Sequence, residues 1–120
     1  MQLKYNNRVR NKVIIIELET TNFTKRENEA LDRFGEPVVK LEKVYDGGFP
    51  VNFEKKIKTG FKLRVKFDGS KDLQAATDAA NLFFEEIQEV LSQEMSSLMD
   101  KMADLEIEFK STSGLLDIKY

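Results

Sequence analysis

Between Phe61 and Phe67 the chain alternates without a break: Phe61, Leu63, Val65 and Phe67 share one side of a pleated backbone, and Lys62, Arg64 and Lys66 share the other. This period of two predicts a strand with one buried and one wet face. The same alternation, more weakly, marks residues 38–45 (Val39, Leu41, Tyr45) and 51–57 (Val51, Phe53, Ile57). Asp46-Gly47-Gly48 and Thr59-Gly60 punctuate these runs, so the three read as consecutive strands of an antiparallel meander. A further strand is expected over residues 8–19, where Val13, Ile14, Ile15 and Ile16 form a β-branched run suited to a buried pleat. At the end of the chain, Leu105, Ile107 and Phe109 alternate with Asp104, Glu106 and Glu108. With Leu116, Ile118 and Tyr120 beyond a turn at 111–114, they predict a last hairpin.

Two segments carry the helical period instead. Thr24-Lys25-Arg26-Glu27 is a capping box: the threonine oxygen can accept from the Glu27 amide while the glutamate reaches back. A short helix should run from it to Phe34, stopped by Gly35 and Pro37. The second is long. From Leu73 through Ala76, Ala80, Phe83, Phe84, Ile87, Val90 and Leu91, apolar residues recur every three or four positions, and Met95, Leu98, Met99 and Met102 extend the stripe. A continuous helix over residues 71–102 would measure about 48 Å, against about 27 Å for an eight-residue strand. It must bend, break near residues 92–97, or overhang the sheet. Ser70 or Asp72 is its expected N-cap.

These elements predict one α+β domain over residues 1–120. The expected architecture is an antiparallel sheet of four to six strands, packed on one face by the long helix, with the short helix after the first strand. Phe53, Phe61, Leu63, Val65, Phe67, Phe83, Phe84 and Ile87 should dominate the core.

Composition narrows the chemistry. The 120 residues include no histidine and no cysteine. A Ser-His-Asp triad, a cysteine nucleophile paired with histidine, a thiolate zinc site and a disulfide framework are all excluded. No metal or cofactor is expected, and no catalytic residue stands out. The N-terminus shows no apolar stretch of the signal-peptide kind, and the longest aliphatic run, residues 13–16, is far too short to span a membrane. The expectation is a cytoplasmic protein.

Net charge is −2, but it is unevenly spread: residues 1–66 hold fifteen Lys and Arg against nine Asp and Glu, and residues 67–120 hold four against twelve. The basic half suggests an anionic partner, or attraction between the halves. Lys56, Lys58, Lys62, Arg64 and Lys66 are expected to share the polar face of two neighbouring strands, where they could track a phosphate backbone. Bases would need exposed aromatics, and by parity only Tyr5, Tyr45 and Phe49 are available. Alternatively the lysines are plain solvated positions, or pair with Asp104, Glu106 and Glu108.

Four further constellations remain. Lys25 and Arg26, in the first turn of the short helix, could join its amides in holding an anion. Glu106, Glu108 and Lys110 have the acidic-x-Lys form of metal-dependent nucleases, as do Asp117 and Lys119, although such tripeptides arise readily in a chain one-third charged. Glu85, Glu86 and Glu89 read as the wet side of the long helix. Leu91, Met95, Leu98, Met99 and Met102 exceed what a small sheet can cover, which points to a homodimer or another protein. The leading functional expectation is therefore a small non-enzymatic interaction protein, acting as a homodimer. Nucleic-acid binding through the basic sheet face comes second, and a metal-dependent phosphodiesterase a distant third.

Overall fold

The computed structural model describes residues 1–58 and 61–117, with side chains as far as Met102. Its elements run β1 (Gln2–Arg10), β2 (Val13–Thr21), α1 (Lys25–Phe34), β3 (Val38–Tyr45), β4 (Phe49–Lys56), β5 (Lys62–Asp68) and α2 (Leu73–Asp117). The class is α+β with antiparallel pairing, as the alternation predicts. The expected single sheet of four to six strands is instead two sheets: three strands in the order β1-β2-β5, and a separate β3-β4 hairpin.

The expected strand over residues 8–19 is in fact the junction of two. Arg10 pairs with Val13, so Asn11 and Lys12 form a two-residue turn, with φ of 51° and 62°. Two consecutive positive φ values define the turn type whose twist matches that of the flanking strands. The short helix consequently follows the second strand and not the first. The meander is also corrected. β5 does not pair with β4; it crosses to β2, with Ile14 opposite Phe67, Ile16 opposite Val65 and Leu18 opposite Leu63. Ile14, Ile16 and Leu18 thereby share a face with Leu63 and Phe67, and all five are buried.

The β3-β4 hairpin turn follows from local chemistry. Asp46-Gly47-Gly48 joins Tyr45 to Phe49 with Gly47 at φ 98°, and a Cβ at Gly47 would meet the Phe49 ring at 2.7 Å. Only glycine fits there.

The inner face of the sheet packs on α2. Phe83 is fully buried, with Phe67 at 5.8 Å and Tyr45 at 6.4 Å between ring centroids, the latter edge-on. Of the predicted core, Phe61, Leu63, Phe67, Phe83 and Ile87 are buried, while Phe53, Val65 and Phe84 are partly buried against it. Asp72 caps α2, its carboxylate accepting from the Ala75 amide at 3.1 Å.

α2 neither bends into two helices nor breaks near 92–97; it overhangs. Its 45 residues span about 68 Å, and the molecule measures 75 Å along its longest axis against 23 and 18 Å across. The predicted C-terminal hairpin is overturned as far as Asp117, because residues 105–117 belong to this helix; residues 118–120 lie outside the described residues. Leu105 and Phe109 also fall three and seven positions after Met102. The stretch therefore satisfies the helical period as well as the period of two, and lengthening an existing helix requires no new nucleus.

Candidate functional site

The parity of β5 holds. Lys62, Arg64 and Lys66 are exposed, and Leu63 and Phe67 are buried. The strands beside them differ from the expected ones. Register places Lys4, Glu19 and Lys62 in one row across β1, β2 and β5, then Asn6, Glu17 and Arg64, then Arg8, Ile15 and Lys66. Among the described residues, α2 packs on the opposite face, in one cluster with Leu18, Leu63 and Phe67. Ile15 is buried on the outer face nonetheless, between the long stems of Arg8 and Lys66, which can cover apolar surface while their charges stay in water.

The face is a basic field with an acidic midline and one further carboxylate, Asp68, at the end of β5 in the row of Arg10 and Val13. Lys4, Arg8 and Arg10 come from β1, and Lys62, Arg64 and Lys66 from β5. Glu17 and Glu19 are the only carboxylates on the middle strand. Arg8 reaches Glu17 at 2.9 Å. Among the described residues, no carboxylate comes within ion-pairing distance of Lys62, Arg64 or Lys66. A shallow depression of about 460 Å³ follows the first two rows and is bounded by Lys55, whose Nζ donates to the Lys62 carbonyl at 2.8 Å.

Several sequence-based expectations are corrected here. Lys56 and Lys58 do not join this face: Lys56 ends β4 in the other sheet, and Lys58 lies beyond it, its carbonyl accepting from Thr20 Oγ1 at 2.9 Å. The expectation assumed that β4 and β5 are neighbours in one ladder. Lys4, Arg8 and Arg10 take their place; the sequence reading missed them because it did not divide the first strand. The signal was present, since Lys4, Arg8 and Arg10 share parity in a segment that ends in Asn11.

None of the three proposed aromatics serves this face. Tyr45 is 2 % exposed, and its hydroxyl donates to Glu86. Phe49 is half-buried beside Phe67. Tyr5 is exposed, but on the opposite face, edge-on to Phe84 at 5.1 Å. The surface therefore offers charge without stacking platforms.

At the start of α1, beside Lys25 and Arg26, the capping box forms as predicted. Glu27 accepts from the Thr24 amide at 3.0 Å and from the Met1 ammonium at 2.5 Å. Partial burial raises the Glu27 carboxyl, but the ammonium and the two Thr24 bonds outweigh it and leave its pKa below the usual range. Glu27 thus places one negative charge at this helix terminus, paired with the Met1 ammonium.

Most of the Met-rich stripe is covered within the chain, Met99 being only partly buried. Leu91, Met95, Leu98 and Met102 are buried in the same cluster as Ala30 and Leu31 of α1. A groove of about 440 Å³ still runs along α2, lined by Met1, Leu3, Leu91, Met95 and Met99. The side chains of Glu106, Glu108, Lys110, Asp117 and Lys119 lie outside those described. Among the described residues, no three acidic side chains converge as a metal site, and no helix is long and apolar enough to cross a membrane. No protein-family model, curated protein or solved structure matches this chain.

Proposed function

We propose that this chain is a small non-enzymatic binding protein whose working surface is the outer face of the β1-β2-β5 sheet, and whose ligand is a nucleic-acid backbone held without regard to sequence. The observation that carries the reading is the β5 row: Lys62, Arg64 and Lys66 stand exposed and none forms an ion pair among the described residues, although Glu19 and Glu17 lie beside Lys62 and Arg64 across the ladder. Cations so placed can neutralise phosphates and release the counterions condensed on the nucleic acid, the usual source of salt-dependent, sequence-independent affinity. The want of stacking aromatics favours contact with phosphates over contact with bases.

A labelled oligonucleotide titrated at low salt tests this. Binding should weaken steeply with salt, and a Lys62→Glu, Arg64→Glu double variant should lose about tenfold or more in affinity, with a salt slope shallower by about two. An anisotropy trace that stays flat at low salt would end the reading, as would a double variant that binds normally.

Self-association is the second reading, favoured by the reach of α2 past the sheet and by the groove beside Met95 and Met99. Although most of the stripe is covered internally, Leu105 and Phe109 continue the spacing of Leu98 and Met102 in the sequence. Light scattering at high protein concentration should give twice the 13.9 kDa chain mass. The monomer mass there removes this reading.

A further inference from the structure

β1 is a nine-residue edge strand, and its outer margin meets no other strand among the described residues. Which backbone groups face that margin follows from one bond. The Thr20 amide donates to the Phe61 carbonyl at 3.0 Å, so the even residues of β2 point their polar backbone toward β5 and the odd ones toward β1. Through the register, Glu17 and Glu19 engage Asn6 and Lys4, so the even residues of β1 bond inward. Leu3, Tyr5, Asn7 and Val9 therefore present their N–H and C=O groups outward, a ready template for one more strand.

The side chains along this margin say what that strand must carry. On the outer face stand Lys4, Arg8 and Arg10, and β1 contains no acidic residue. On the inner face Tyr5 and Val9 are 62 % and 63 % exposed although both are large and apolar. A second copy of β1 is a poor occupant: antiparallel pairing about Asn6 would set Lys4 against Arg8, and like charges directly opposite destabilise a ladder. The same charges attract the opposite pattern. β2 already displays it on the other side of β1, with Glu17 and Glu19 on the outer face and Ile14, Ile16 and Leu18 on the inner.

We infer that the free edge of β1 is a docking site for an extended segment of a partner protein in which acidic and apolar residues alternate. Main-chain bonds to Leu3, Tyr5, Asn7 and Val9 supply affinity. The cations Lys4, Arg8 and Arg10 choose the acidic register, and Tyr5 with Val9 receive the apolar side chains. This site is the margin of the sheet and not the Lys62–Lys66 row, so loss of oligonucleotide binding on reversing Lys62 and Arg64 leaves it untouched.

The test uses the full chain, isotopically labelled, with a seven-residue peptide alternating Glu and Val and its Lys-Val counterpart. At about ten times its Kd the Glu-Val peptide should slow amide exchange at Leu3, Tyr5, Asn7 and Val9 about tenfold. The Lys-Val peptide should do nothing, and a Lys4→Glu, Arg10→Glu variant should reverse the preference. Equal protection by both peptides overturns the charge selection. No protection at the four odd amides, or shifts confined to Lys62, Arg64 and Lys66, overturns the site. If the variant does not fold, the comparison of the two peptides on the unaltered chain decides alone.

Discussion

Replacing Phe83 by alanine should cost about 3–5 kcal/mol, a large share of the roughly 5–15 kcal/mol that holds a typical domain together. Phe83 is 0 % exposed and is contributed by α2 to a cluster it shares with Phe67 of β5 and Tyr45 of β3. Truncation removes the ring that touches both sheets, so it opens a cavity where the three-stranded sheet, the hairpin and the helix meet. Rigid neighbours on three sides cannot collapse far into that space, which places the cost toward the upper part of the range. Chemical denaturation followed by circular dichroism measures it as a lowered midpoint. The neighbouring Leu82→Ala serves as the control, because Leu82 is 44 % exposed and should shift the midpoint little. A Phe83 variant as stable as the Leu82 variant would mean that the two sheets and α2 do not share this core.

Glu86→Ala should destabilise by about 1–3 kcal/mol, because it strands a buried hydroxyl. The Glu86 carboxylate accepts from Tyr45 at 2.7 Å and from Lys43 at 2.6 Å, and the Lys43 ammonium lies 4.8 Å from the centre of the Tyr45 ring. Tyr45→Phe removes the donor with its bond and leaves nothing unsatisfied, so it should cost less than Glu86→Ala. The same network carries a pH signature. Partial burial raises the Glu86 carboxyl, but the bonds from Lys43 and Tyr45 and the Lys43 charge outweigh it and leave its pKa lowered. Its folded pKa thus lies below its unfolded one, so the contribution is complete above the ordinary carboxylate range near about 4 and is lost as pH falls through the folded value. Burial first, then the bond and charge of Glu86, push the Tyr45 hydroxyl far up. Its contribution is complete below about pH 10 and declines at higher pH. Stability should therefore fall on both the acid and the alkaline side; Glu86→Ala should flatten the acid limb and lessen the alkaline limb only in part, since burial of the Tyr45 hydroxyl remains. An acid limb unchanged in that variant would place the acid dependence elsewhere.

How much of this was legible in the sequence depended on how local each cause was. The Thr24–Glu27 capping box, the Asp46-Gly47-Gly48 turn and the alternation from Phe61 to Phe67 were all readable, because each rests on residues within a few positions of one another. The wet side of α2 was misread at Glu86, since the lysine and tyrosine that draw it in lie more than forty residues earlier. The Asn11-Lys12 turn was missed because its backbone type is usually announced by glycine, and lysine at positive φ gives no such notice. From that one omission came the undivided first strand and the absence of Lys4, Arg8 and Arg10 from the expected basic face.

Strand and helix periods, capping signals and the exclusion of histidine and cysteine chemistry were decided by the order of residues along the chain, because side-chain parity and local hydrogen bonding act over a few positions. Pairing partners were not. β5 could be placed beside β4 or beside β2 with its own parity intact, and only the packing of Ile14, Ile16 and Leu18 with Leu63 and Phe67 over α2 selected β2. The residues between Asp104 and Lys110 suit either period, and only their attachment to a helix already built made them helical. Tertiary structure alone therefore determined which cations share a face and which strand edge is left open.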